Sequence, residues 1–293
     1  PQIALPVAVV ALLTADLAIT NAPSESTALP SAAYDVLTPG TRNETLATLR
    51  SLIVQDDTRR DRVELIGLGY PWQNAALAHG LEDTLGFNPV RSAAYATLVG
   101  AEDIAALPDQ RRFPPAFPSY RSPLADILGL RFIVTPVPLD QRLTGAAIQL
   151  KARTAEAYIY ENPRALPRVW IAPEARETPA DLATRGYPEG LDPRTTVLLE
   201  GSLPPSRPAG GTARLVAYAN TAITVETTTA EGGVLVLADA WHPWWRAEID
   251  GRPVPIRCAY GLVRAVEVPA GKAIVRFTFA PVRGALAQAF TRP

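Results

Sequence analysis

Residues 234–281 constrain the fold more than any other stretch, because strand alternation and turn chemistry agree along them. Val234, Val236 and Ala238 alternate with Leu235, Leu237 and Asp239, and successive residues of a strand face opposite sides of a sheet. Asp250-Gly251 tolerates the positive φ of a type I′ turn, and Val254-Pro255-Ile256-Arg257 returns from it. Val263–Val268 and Ile274–Phe279 alternate again, with Pro269-Ala270-Gly271-Lys272 turning between them. Short strands separated by turn signals predict a small antiparallel β-sandwich.

The chain upstream reads as mixed. Thr45–Val54, Asn74–Leu81, Ser92–Leu98 and Leu124–Leu128 carry helical patterns. Arg62–Ile66, Leu130–Thr135, Ala157–Glu161, Arg168–Ile171 and Thr196–Glu200 read as strands. The expected fold class is therefore α+β, a mixed α/β N-terminal unit followed by a C-terminal antiparallel β-sandwich. The expected division is a mixed domain over 21–202, a Pro- and Gly-rich linker over 203–211, and the sandwich over 212–282.

The ends are apolar. Ile3–Ile19 reads either as a buried helix or as the end of a transmembrane helix, so residues 1–20 are assigned to such an end. Asp16, Thr20 and Asn21 then lie at the interface, where polar groups are tolerated. Residues 283–293 are expected to begin a following membrane segment or tail. The absence of Met is expected of a fragment or a processed chain.

Composition narrows the chemistry. A net charge of −1 argues against a nucleic-acid partner. Cys258 is the sole cysteine, and only His79 and His242 accompany it, so no zinc site is expected. The Gly-Gly pairs at 210–211 and 232–233 lack the Lys and Ser/Thr of a phosphate loop, and no G-x-S-x-G is present. No cofactor, metal or catalytic residue is therefore assigned. The Asp56–Arg62 charge run reads as a solvated turn, and His79 with Glu82-Asp83 as a polar loop, the alternative being a divalent-cation site.

Trp241, His242, Trp244, Trp245 and Tyr260 form the candidate binding group. Aromatic faces stack on sugar rings while nearby polar groups hold hydroxyls. The same rings can instead fill a core or an interdomain seam. Trp244 and Trp245 are adjacent, so on a strand they point to opposite faces.

In order along the chain, LADILGLRFIV (124–134), YENPRALPR (160–168), WHPWWRAEIDG (241–251) and VPAGK (268–272) together resemble segments of the YfhO family of bacterial polytopic membrane proteins. That family is placed with membrane glycosyltransferases of the GT-C type. Trp241 and Trp244 stand where the family pattern has Tyr and Gly, which makes this tip more aromatic. The resemblance implies an extracytoplasmic domain at the cell membrane, attached to the membrane part of the same polypeptide. It implies a role in positioning an envelope glycan acceptor, or a polyprenyl-linked sugar, during transfer. The alternative is a structural module with no ligand of its own. The catalytic carboxylate of such enzymes lies in a loop that this chain does not contain.

Overall fold

The computed structural model describes residues 4–21, 29–86, 92–100, 108–203 and 210–291. Its α-helices are α1 (Ala4–Thr20), α2 (Glu44–Leu52), α3 (Ala75–Ala78), α4 (Ala93–Val99), α5 (Pro123–Ile127), α6 (Gln141–Thr144), α7 (Leu182–Arg185) and α8 (Pro281–Thr291). Most of the 203–211 segment, residues 204–209, lies outside the described residues.

The N-terminal unit is built on a five-stranded mixed sheet. Its strands are β1 (Arg62–Leu65), β2 (Glu82–Asp83), β3 (Leu130–Thr135), β4 (Gln149–Arg153) and β5 (Tyr158–Glu161), in the order β2-β1-β3-β5-β4. β1 pairs in parallel with β2 and β3, while β5 is antiparallel to both β3 and β4. Strand alternation divides the packing. Val63, Leu65, Phe132 and Val134 meet Leu46 and Leu49 of α2 on one face. Ile66, Leu130 and Ile133 meet Tyr120 and Ala125 on the other. Asn43 starts α2 by accepting the Leu46 N–H at 3.0 Å, which satisfies one otherwise orphaned helix donor.

The rest of the molecule is a β-sandwich. One sheet has the order β13-β12-β16-β10-β9, formed by β9 (Gly211–Ala219), β10 (Ala222–Thr229), β12 (Trp245–Ile249), β13 (Arg252–Val254) and β16 (Gly271–Phe279). The other has the order β6-β11-β15-β14-β8-β7. It joins β11 (Gly233–Ala240), β14 (Arg257–Ala259) and β15 (Val263–Val268) to β6 (Val169–Ala172), β7 (Glu174–Glu177) and β8 (Thr196–Leu199). The sandwich thus takes strands from both sides of 203–211. Sequence shows that 169–172 and 196–199 are strands, but pairing partners are a long-range property, and β6 finds its partner in β11.

The expected turn is present: Asp250 and Gly251 have φ of 49° and 80°, and Ile249 pairs with Arg252 across them. β11 is apolar on both faces because both faces are covered. Leu235 and Leu237 join the sandwich core with Val225, Val266, Val275 and Phe277. Val234, Val236 and Ala238 pack outward against Leu98, Phe117, Ile127 and Leu182. Burying such side chains contributes roughly 1.5–3 kcal/mol each.

α1 differs from every other element. Its described side chains at 5–20 are all exposed, with Leu5 at 72%, Leu12 at 73% and Ile19 at 76%. No helix among the described residues is long and apolar enough to cross a membrane.

Candidate functional site

Three of the five candidate residues, His242, Trp244 and Trp245, gather around Phe279 at the edge where β16 runs into α8. Trp245 opens β12 and lies on its inward side with Ala247 and Ile249, against the sandwich core. The Arg264 guanidinium stacks 3.8 Å from its ring centroid. Trp244 lies in the turn just before β12, not on the strand. It meets His242 edge-on at 4.7 Å between centroids, and both rings meet Phe279, at 5.7 Å and 6.1 Å. The Trp244 N–H donates to His242 Nδ1 at 3.2 Å, and its carbonyl accepts the Ala280 N–H at 3.0 Å. Burial lowers the His242 pKa from its ordinary value. Trp241 is half-buried and takes part in none of these ring pairs.

The Trp244 face is occupied by the chain itself. α8 crosses it at Gly284, where an added Cβ collides with indole Cδ1 and Cγ and comes within 2.8 Å of Nε1. Only a residue without Cβ lets the helix lie this close. The indole N–H is buried there with no hydrogen-bond partner.

Tyr260 does not share this tip. It is wholly buried, with a φ of 53°, and its hydroxyl donates toward the Pro193 and Thr196 carbonyls at 3.1 and 3.0 Å. Tyr187 packs against it edge-on at 6.2 Å. The turn that ends β14 carries its ring into the core between the outer sheet and the helices.

A second constellation was not apparent in the sequence. Asp239 interrupts the regular register between β11 and β15, where Leu237 pairs with Arg264 and Ala240 with Val263. Its carboxylate accepts from Arg62 at 2.7 Å, Arg168 at 3.0 Å and Arg264 at 3.2 Å, and from the Tyr218 hydroxyl at 3.0 Å. Arg168, 1% exposed, also reaches Glu82 at 2.5 Å, and Glu82 in turn takes Arg60 at 2.6 Å. Burial opposes charge on Asp239, yet Arg168, Arg62 and Arg264 together hold its carboxyl below the ordinary range. Burial pushes Arg264 down to about 10. The cluster joins β1 and β2 of the N-terminal unit to β9, β11 and β15 of the sandwich.

The expected solvated turn is therefore half wrong. Asp56 and Asp57 are exposed, whereas Asp61 is 3% exposed and Arg62 reaches the buried cluster. Glu82 and Asp83 form strand β2 rather than a loop. His79 lies within hydrogen-bond distance of the Val36 carbonyl and of Arg50, both at 2.6 Å.

The YENPRALPR segment supplies buried anchors. Asn162 donates to Asp126 at 2.8 Å and to the Leu130 carbonyl at 3.1 Å, tying β5 to α5 and β3, and Arg168 enters the Asp239 cluster. A further buried carboxylate, Glu64, accepts from Arg111 at 2.6 Å and Tyr120 at 2.5 Å beside a void of only about 30 Å³. No group of three or more His, Cys, Asp or Glu converges as a metal site among the described residues. Comparison with protein-family models, curated proteins and solved structures returns no match for this chain.

Proposed function

We propose that this chain is the extracytoplasmic module of a membrane protein and works by position, with no chemistry of its own. The observation that carries this reading is the occupied tip. The aromatic group most suited to a ligand is the seat for α8, with Gly284 laid directly on Trp244. The Asp239 cluster fixes the sandwich to the N-terminal unit, so an orientation imposed on α8 is passed to the whole body.

α1 supports attachment to a bilayer. Its described 17 residues rise about 26 Å, short of the roughly 30 Å of a hydrocarbon core, so they support contact with a bilayer rather than a full crossing. An apolar helix exposed on all sides is stable in lipid or against other helices. The resemblance to the YfhO family supplies the context: a domain beside a GT-C-type membrane part of the same polypeptide, on the outer face of the cell membrane, near transfer of a polyprenyl-linked sugar. Flotation of the full chain with phospholipid vesicles tests the attachment. The expected result is co-flotation that falls at least tenfold in a Val9→Asp/Leu12→Asp variant whose circular dichroism is otherwise unchanged. Equal flotation of the two proteins, or none of either, overturns it.

One observation favours a second reading, in which the tip contacts an envelope glycan. Trp241 stands outside the packed ring cluster and is only half-buried. Titration of neutral glycans against tryptophan fluorescence, with Trp241→Ala as control, separates the readings. A saturable response lost in Trp241→Ala supports acceptor contact, and no response in either protein supports a purely positional role.

A further inference from the structure

We propose that a cavity of about 310 Å³ in the N-terminal unit binds one ring of a neutral sugar. It lies between the 3-10 helices Ser31–Leu37 and Tyr70–Asn74 and the turn that joins β4 to β5. The aromatic tip contributes nothing to it, and it does not depend on the positional reading above. Its volume falls at the lower end of the roughly 300–1,000 Å³ in which small-ligand sites are found.

One side of the cavity is apolar, made by Val36, Leu68, Pro71 and Trp72. Trp72 is 6% exposed, yet its indole N–H donates to no other group. A tryptophan buried this deeply normally finds an acceptor. The Trp170 and Trp244 N–H groups also lack one, but they are sealed from solvent, whereas that of Trp72 is not.

The rim carries two carboxylates, Asp35 and Glu156. A single loop orients both. Thr41 Oγ1 donates to Asp35 Oδ2 at 2.7 Å and accepts the Asn43 N–H at 3.2 Å, while Asn43 Nδ2 donates to Glu156 Oε1 at 2.5 Å. Asp35 Oδ1 and Glu156 Oε2 remain for a ligand, and neither carboxylate pairs with a cation of the chain.

The cavity thus offers one donor and two acceptors beside an apolar wall. A cation serves the carboxylates but leaves the indole N–H unmet, and an anion does the reverse. A hydroxyl both donates and accepts. Neighbouring hydroxyls of a sugar ring can donate to the carboxylates and accept from Trp72, while the C–H face of the ring lies on the apolar wall.

The test follows amide and indole N–H resonances of the full chain during titration with D-glucose and with cyclohexanol, a six-membered ring bearing one hydroxyl. D-glucose is expected to shift the Trp72 indole and the Ala33 amide saturably, and cyclohexanol is not. Glu156→Gln, at an exposed position, is expected to weaken glucose binding at least about tenfold with an unchanged melting temperature, because a hydroxyl bonds a carboxylate more strongly than a neutral amide. Trp72→Phe keeps the ring but removes the donor, and should weaken binding about three- to tenfold, the worth of an average hydrogen bond. Should Trp72→Phe melt early, Asp35→Asn replaces it, and undiminished affinity in that variant is contrary. Equal affinity of wild type and Glu156→Gln overturns the proposal, as does the absence of a saturable shift up to the solubility limit of glucose. A shift abolished by Trp241→Ala places the sugar at the tip and equally overturns it.

Discussion

The Asp239 cluster and the Trp244 tip are both polar-aromatic constellations at the margins of one sandwich, yet they are built on opposite terms. At Asp239 the partners are charged, drawn from distant parts of the chain, and closed off from water. At Trp244 the partners are rings, drawn from neighbouring strands and one following helix, and half open. The first locks two units into one body. The second seats the helix α8. Burial and connectivity, rather than residue type, separate a locking cluster from a helix seat.

Removing the centre of the cluster is the strongest way to break this contrast. Asp239→Ala leaves Arg62, Arg168 and Arg264 without their shared carboxylate, and breaking a buried ion pair from one side costs about 3–5 kcal/mol. Urea unfolding should show this as a large loss of midpoint, with early separation of the N-terminal unit from the sandwich. A loss no larger than that of a surface substitution contradicts the locking role. Arg264→Lys should cost about 1–2 kcal/mol, since lysine keeps the charge but loses the fork to Asp239 and the planar stack on Trp245. A smaller effect is expected at the tip. Gly284→Leu should lift α8 and leave the urea midpoint of the body within about 1 kcal/mol of wild type, because α8 is peripheral to both cores.

The pH dependence sharpens the contrast from another side. Asp239 has a depressed carboxyl pKa, so its stabilisation is present above the ordinary carboxylate value and is lost as pH falls through the folded value. Asp83 behaves in the opposite sense. Desolvation raises its carboxyl from 3.8 to about 7, against the N–H donors of Leu85, Gly86 and Leu65. The folded chain therefore binds this proton more tightly, and stability falls as pH rises from about 4 towards 7. Asp83→Asn should flatten that decline in midpoint against pH. An unchanged slope rules out Asp83 as its source.

Much of the fold was legible because its signals are local. Asp250-Gly251 specifies its own turn, and the alternation of 234–238 and 263–268 specifies which side chains face each core. What was not legible depends on partners far away in the chain. Nothing near Arg168 announces Asp239 or Glu82, and nothing in the run 56–62 announces that Arg62 turns inward while Asp56 stays in water. Tyr260 looked like a neighbour of the tryptophans because it is near them in sequence, but the positive φ at its turn sends it to the other core. Gly284 carried no sequence signal at all, since its role exists only once Trp244 lies beneath it. The absence of a Cβ matters through packing, not through a motif.

The indole N–H resonances of the intact chain test most directly whether the tip is a seat for α8 rather than a ligand surface. Gly284→Leu should shift the Trp244 resonance and speed its hydrogen exchange, while neutral glycans leave that resonance unmoved in the wild-type protein. A Trp244 signal indifferent to Gly284→Leu but displaced by glycan contradicts the account.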